Sequence, residues 1–430
     1  MSGLRVLVVG AGARQHALCW KLAAEPGVER VIAAPGNPLM ADVAEMRSDV
    51  AGDDLDAIVA LALGERVGLV IVGPEDPLVA GLADLLAAAG VACFGPSAAA
   101  ARLEGSKAFA REVCDAAGIA MAKGRAFEDA ESATAFAGLL GGRVVVKADG
   151  LAEGKGVAMC PDLTAAQAAI REALIEGRFG DAGRRVVVEE WLDGSEASVF
   201  ALCDGERYAL LPAARDHKRA GEGDTGPNTG GMGAYSPVAE LDDRALSKVG
   251  ESVVAPVLVE MARRGTPFRG ALFGGLMLTS DGPRVLEFNV RLGDPETQAI
   301  MPRISLPLAP LMLECANGRL SAGGVLPGLP DAAVALFMVA DGYPDSGRRG
   351  DRIAGIAAAR QAGALVFGAG VALGADGGIV TARGRVLTVV GRGATIGHAA
   401  DAAYAAASLI DYRGAWYRRD IGRGLASVAA

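Results

Sequence analysis

The chain has 430 residues, 51% of them hydrophobic, so roughly three domains with large buried cores are expected. Its 42 basic and 51 acidic residues give a net charge of −9, which argues against a general nucleic-acid binder but not against a local basic cleft for an anionic small ligand. Six well-separated cysteines without a C-x-x-C, three histidines, no apolar run of the ~18–20 residues that span a membrane, and a start that opens directly on a strand point to a cytoplasmic protein with reduced thiols and no zinc site.

Residues 1 to about 100 alternate strand and helix. Arg5 to Val9 is a β-branched run ending in Gly10-Ala11-Gly12, and an Ala/Leu-rich helix and Val31-Ile32-Ala33 follow. Then come a helix over 53–63, a buried strand Val67 to Val72 ending at Gly73-Pro74, a helix over 78–89 and a strand Val91 to Phe94. Continuous apolar strands joined by helices predict a Rossmann-like, doubly wound parallel sheet, whose ligands sit at the carboxyl ends of the strands. Gly10-Ala11-Gly12, Pro35-Gly36-Asn37 and Gly73-Pro74-Glu75 all fall there. The glycines invite a dinucleotide reading, but Gln15 stands where the fingerprint needs a third small residue, and no acid follows the second strand. His16, at the start of the helix, is expected to cap it or to face a phosphate.

From 104 to 325 the pattern is α+β, with short strands at 144–147, 186–190, 198–202, 271–278 and 285–288 and helices near 107–117 and 242–263. Gly150 to Gly156 misses a P-loop by one residue and lacks its hydroxyl. It reads better as a glycine flap closing over ATP, with Lys147 on the strand before it, or else as a plain hairpin turn. Val186 to Leu192 turns polar at its end, where backbone groups would meet an adenine edge and Glu196 the ribose; the plain alternative is an edge strand. Asp216-His217-Lys218-Arg219 runs into Gly226-Pro227-Asn228-Thr229-Gly230-Gly231-Met232-Gly233, too glycine-rich for a helix or regular strand, so a loop near a ligand is expected. Glu287 and Asn289, two apart on a strand, share one face. A carboxylate beside an amide oxygen suits Mg²⁺, which takes its other ligands from waters and phosphates. The last hundred residues are strand-rich, at 333–339, 365–367, 379–381 and 386–391, with a helix over about 395–410.

Taken together these segments resemble the glycinamide ribonucleotide synthetases of the ATP-grasp superfamily. The resemblance lies in Leu103 to Phe109, Val146 to Leu151, Gly154-Lys155-Gly156, Glu189 to Gly194, Asp216 to Arg219, Gly226 to Pro237, Glu287 to Gln298 and Tyr417 to Gly422. It implies a sheet domain over 1–103 that holds 5-phosphoribosylamine, an ATP-grasp domain over 104–325 with its flap lobe at about 123–191, and a mixed β C-terminal domain over 326–430. It implies ATP and Mg²⁺ or Mn²⁺, ligation of glycine to 5-phosphoribosylamine through an acyl phosphate, no nucleic-acid or membrane partner, and a monomer or weak dimer. ATP falls to Lys107, Lys147, Lys155, Glu189, Glu190, Leu192 and Glu196, and the metal to Glu287 and Asn289. Arg291 is expected to face the acyl phosphate, with Lys147 and Asp294 beside it in catalysis. The substrate side takes Gly12, Ala13, Arg14, Gln15, Asn37, Gly73, Pro74, Glu75, Asp216, Lys218, Asn228, Thr229, Gly230 and Asp294. Three departures fall there: Gly12-Ala13-Arg14-Gln15-His16 for the family's Gly-Gly-Arg-Glu-His, Ile304-Ser305-Leu306 for Lys-Ser-Asp, and Gly368-Ala369-Gly370-Val371 for His-Ala-Gly-Thr. They leave open a paralogue that ligates a different amine. A nicotinamide dehydrogenase and an ATP-binding scaffold are the readings from other classes; Gln15 opposes the first, and the presence of Lys147, Glu287 and Asn289 the second.

Overall fold

Val6 to Val9 are wholly buried because a parallel strand with helices on both faces has no wet side. They belong to Leu4–Gly10, the middle strand of a five-stranded sheet in the order Glu45–Met46, Val28–Pro35, Leu4–Gly10, Leu69–Val72, Cys93–Phe94. All its pairings are parallel. A computed structural model of the chain describes residues 3–152 and 156–423. The chain leaves the middle strand in both directions, which opens a crevice at its carboxyl end. The expected helix over 78–89 is two helices, Asp76–Val79 and Leu82–Ala88, because Gly81 between them takes φ +94°.

Residues 124–190 build a separate antiparallel sheet in the order Gly124–Phe127, Val186–Glu190, Val144–Ala148, Val157–Cys160. The strand Val186–Glu190 is therefore interior, not an edge, and it pairs on both sides. Helices Ala130–Leu139 and Leu163–Leu174 cover this sheet, with Ala133, Ala137, Ala166 and Ile170 in its core. Neither helix was expected from the alanine-rich sequence. Their caps were legible there, since Asp129 accepts from the Ser132 N–H and Asp162 from that of Ala165.

The strand Gly282–Asn289 edges a second sheet, beside Arg269–Thr279 and Ser195–Asp204. Its register slips between Val285 and Glu287, leaving Leu286 as a bulge. The glycine-rich stretch is only partly a loop: Arg219–Gly221 and Thr225–Asn228 form a hairpin, and Gly233–Ser236 is a strand. The helix expected over 242–263 holds a π-helical turn at Gly250–Val254.

A third sheet orders Arg215–Asp216, Gly233–Ser236, Ala332–Val339, Arg385–Gly393 and Leu365–Gly368, so strands from before and after residue 300 share it. Helix Ile396–Ala407 packs on its two longest strands. The sheets are tied by polar contacts. Glu25 accepts from the Leu308 and Ala309 N–H groups (2.7 and 2.8 Å), capping helix Leu308–Ala316 from the N-terminal sheet unit. Arg418, 1% exposed, donates to the Arg219 carbonyl (2.9 Å) and pairs with Asp224 and Asp420, clamping the 219–228 hairpin. Among the described residues no helix is long and apolar enough to cross a membrane.

Candidate active site

The cleft between the 124–190 sheet and the second sheet is lined by charge. Lys147, on Val144–Ala148, reaches across it: its Nζ donates to the Leu286 carbonyl at 2.8 Å. The bulge frees that carbonyl from the strand ladder. The same ammonium lies 2.7 Å from Glu189 Oε2, while Arg111 holds Glu189 Oε1 at 2.8 Å. All three side chains are buried. Lys107, at the start of helix Lys107–Ala117, donates to the Gly150 carbonyl at 3.2 Å. Asp149, just before the glycine segment, accepts from Ser106 Oγ (3.0 Å) and the Ala108 N–H (2.7 Å), which ties the end of that strand to the helix start. Glu190 Oε1 accepts from the Lys123 N–H at 2.8 Å, and Leu192 is half-buried just beyond that strand. Lys155 lies outside the described residues.

Deeper in the cleft, Glu287 and Asn289 are partly exposed on either side of buried Phe288, so the period of two resumes after the bulge and both face the same way. Lys218 Nζ sits 3.0 Å from Glu196 Oε2 and 3.6 Å from Glu287 Oε1. Burial would raise the Glu287 carboxyl, but Lys218, Lys107, Lys147 and Arg291 outweigh it and hold the group below its ordinary value. An ionised carboxylate beside an amide oxygen is a donor set that fits a small hard divalent ion sharing phosphate ligands. Asp216, nearby, is pushed up to about 8, by burial first and then by Glu296, Glu196 and Glu287, against the pull of Lys218. Glu296, 4% exposed and accepting from Ser198 Oγ at 3.0 Å, was not picked out from the sequence.

Arg291 joins this region to the N-terminal sheet. It donates to Asn289 Oδ1 (3.1 Å) and to Glu75 Oε2 (3.0 Å), and its Nη2 lies 3.0 Å from Glu104 Oε1. Burial works against the Glu75 charge, yet Arg291 and Arg14 hold that carboxyl down to about 2. Glu104 is pushed up to about 7, because burial outweighs Arg291 there and Glu75 adds to it. Glu104, also missed from the sequence, accepts from the Val290 N–H at 2.7 Å and so fixes the strand end that carries Asn289. Arg14 donates to the Leu292 carbonyl at 2.8 Å; among the described residues its Nε has no partner, and it lines a small crevice with Gly73, Val290 and Arg291.

Of the other expected substrate residues, Ala13, Gln15 and Asn37 turn inward. Ala13 is fully buried, so its methyl fills the core beneath the first helix and not the crevice. Gln15, 3% exposed, folds over the turn: a Cβ on Gly10 or Gly12 would meet its amide at 2.8 or 2.7 Å, and one on Gly73 closer still. It thereby covers the crease where a dinucleotide pyrophosphate would lie. Asn37 gives both amide hydrogens to the Ala11 (2.7 Å) and Gly368 (2.9 Å) carbonyls and accepts from the Leu39 N–H. His16 does not cap its helix; it is buried, its Nδ1 accepts from the Gly368 N–H at 2.9 Å, and burial pushes it down to about 3. The N-terminal sheet and the C-terminal strands are thus locked together at Gly368, which has no side chain to hold them apart. Pro74 is half-buried at the crevice. Thr229 Oγ1 donates to the Lys218 carbonyl (2.8 Å), Asn228 ends the hairpin, Gly230 is exposed, and Asp294 Oδ1 accepts from Gln298 Nε2 at 2.6 Å.

Known proteins resemble this chain along most of its length. Residues 4–104, 105–297 and 333–424 match the N, ATP-grasp (A) and C domains of phosphoribosylglycinamide synthetase. A phosphoribosylamine–glycine ligase of Caulobacter vibrioides is 47% identical over 98% of each chain, and one of Allochromatium vinosum is 45% identical over 97% of this chain and 98% of its own. The crystal structure of a phosphoribosylamine–glycine ligase from Thermotoga maritima superposes with TM-score 0.84 at 32% identity, covering 97% of this chain and 100% of that one. A biotin carboxylase–β-γ-ATP complex from Campylobacter jejuni, at TM-score 0.71 and 16% identity over 96% and 92% of the two chains, shares the fold. With three consecutive domain matches and near-full-length relatives at almost half identity, the chain belongs to the phosphoribosylglycinamide synthetase family.

Proposed function

We propose that the chain is an ATP-dependent ligase that joins glycine to 5-phosphoribosylamine, giving glycinamide ribonucleotide, ADP and phosphate in purine biosynthesis. A carboxylate is a poor electrophile. The γ-phosphoryl group of ATP therefore passes to a glycine carboxylate oxygen, releasing ADP. The amine nitrogen then attacks the carbonyl carbon of the glycyl phosphate. The carbon–oxygen bond breaks, phosphate leaves with its electron pair, and the nitrogen gives up a proton. In such chemistry the protein mostly positions reactants and neutralises charge.

In this reading Lys107, Lys147 and the flap's Lys155 meet the ATP phosphates. Glu189, Glu190 and Leu192 border the adenine, and Glu196 the ribose. Glu287 and Asn289 hold a divalent cation, Mg²⁺ or Mn²⁺, which neutralises polyphosphate charge. Arg291 faces the acyl phosphate. Asp216, Lys218, Asn228, Thr229, Gly230 and Asp294 line the glycine side. Arg14, with Gly12, Gly73, Pro74 and Glu75, lines the phosphoribosylamine side, and Gln15 and Asn37 shape it from behind. Domain boundaries near 103 and 325, a cytoplasmic setting without nucleic acid, and a monomer or weak dimer complete the reading.

The observation that carries it is the gathering of cations from separate segments at the Glu287–Asn289 face: Lys218 lies 3.6 Å from Glu287 Oε1, Lys147 donates to the neighbouring Leu286 carbonyl, and Arg291 donates to Asn289 Oδ1. So many cations around a carboxylate–amide pair suit a metal-bound polyphosphate. The test is ADP release from the purified chain supplied with ATP, divalent ion, glycine and freshly generated phosphoribosylamine. ADP should appear only when both acceptors are present. Release that needs neither, or none with both, refutes the proposal.

A further inference from the structure

Two segments, 228–232 and 291–296, carry four of the six glycine-side residues, and they press against each other. Gly231 takes φ +106°, and a Cβ there would lie 2.5 Å from Pro295 Cδ and 3.2 Å from the Asp294 carbonyl oxygen. One side chain from outside grips both. Arg385 opens the strand Arg385–Gly393 of the third sheet, with its guanidinium over the Phe337 ring, 4.3 Å from the centroid. Its Nη1 donates to the carbonyls of Gly230, Asp294 (3.1 Å) and Gly231 (3.4 Å). Its Nη2 donates to Asp294 Oδ2 at 2.8 Å. Since Gln298 takes the other Asp294 oxygen, that carboxylate is oriented from two sides.

We propose that Arg385 is a positioning residue of the ligase: the C-terminal sheet uses it to set Asp294 and the Gly230–Gly231 turn in one fixed arrangement for the acceptor substrates. The proposal rests on the ligase reading above. The geometry needs arginine. A planar fork serves a carboxylate and two or three carbonyls at once, where a lysine ammonium is a single point of charge. The aromatic floor keeps the fork flat against both loops. Among the described residues, none of these polar contacts of Arg385 falls on the Lys107, Lys147 or Glu189 side of the cleft, so its loss should act on the acceptors and spare ATP.

The experiment compares the full-length wild type with R385A, R385K, D294A and the R385A/D294A double variant. Steady-state rates are measured with each substrate varied, and binding of β,γ-imido-ATP by calorimetry. R385A should raise KM for glycine, phosphoribosylamine or both by about ten- to hundredfold, the usual cost of losing charge-assisted hydrogen bonds. R385K should recover only part of that loss. The Kd for the nucleotide analogue should stay within about threefold of wild type, and the double variant should be little worse than D294A alone. If R385A proves insoluble, R385K carries the same comparison. The proposal is overturned by acceptor KM values within about twofold of wild type, by nucleotide affinity that weakens in parallel, or by additive defects in the double variant. A wild type that needs neither acceptor sinks the ligase reading itself; one that needs both, beside an unaffected R385A, sinks this proposal alone.

Discussion

Glu189→Met should loosen the sheet of residues 124–190 more than any single change to its partners. Glu189, Lys147 and Arg111 are 3, 5 and 7% exposed, and the one carboxylate compensates both cations. Removing it strands two buried positive charges, each left with one carbonyl, Leu286 for Lys147 and Ala122 for Arg111. Breaking a buried ion pair from one side costs about 3–5 kcal/mol. Lys147→Met is milder, about 1.5–3 kcal/mol, because Glu189 keeps Arg111. The double variant should fall short of the sum by roughly 2 kcal/mol, since the second change removes a charge already unpaired. Because this sheet has a small core of its own, global unfolding is a poor readout of it. Amide exchange by mass spectrometry on peptides covering Val144–Ala148 and Val186–Glu190 reads this sheet directly. At 1.4 kcal/mol per decade, Glu189→Met should speed exchange there by about two to three and a half orders of magnitude. Rates within about threefold of wild type, or strictly additive effects, would show that water reaches these charges and that the burial argument is wrong.

Three further changes probe other parts of the molecule. Glu287→Ala should lower turnover by more than about a hundredfold while melting stays near wild type, because the side chain is 31% exposed and supports no core; an active variant removes the metal assignment. Gly368→Ala puts a Cβ 2.7 Å from Asn37 Oδ1 and 3.0 Å from Val371 Cγ2, so calorimetry should show about 1–3 kcal/mol of lost stability, and an unchanged melting point would mean the junction is loose. The third concerns pH. Glu104 is raised from 4.5 to about 7, so its contribution is complete below the unfolded value and is lost as pH rises through 7. Glu75, lowered from 4.5 to about 2, works the other way: its contribution is present above 4.5 and lost as pH falls through 2. Glu104→Gln should therefore gain about 2 kcal/mol on wild type between roughly pH 5 and pH 8, measured by denaturant melts of the ligand-free chain, and a gap that stays constant with pH refutes the shift.

Much of this protein was legible in its sequence because the signals are local. The run Val6 to Val9 is buried by any sheet covered on both faces, so composition alone marks it as an inner strand. Glu287 and Asn289 share a face because side chains alternate along any strand, and the bulge at Leu286 falls before both. Lys147 stood out as the lone charge ending a valine run. The helices Ala130–Leu139 and Leu163–Leu174 were missed although Asp129 and Asp162 announce them, since alanine gives a weak helical period.

What the sequence could not decide is which distant groups meet. Asn37 and Gly368 are 331 positions apart, Glu104 and Val290 186, Arg385 and Asp294 91. No spacing rule links such pairs, because each contact exists only after separate sheets have docked. That docking turned Asn37, Gln15 and His16 inward and gave Arg291 two carboxylates with opposite shifts. Chain-local periodicity thus determined the strands and the shared face of Glu287 and Asn289, whereas the burial that sets charge and the partners that fix orientation belong to the assembled cleft, since desolvation depends on what covers a group and not on its neighbours in the chain.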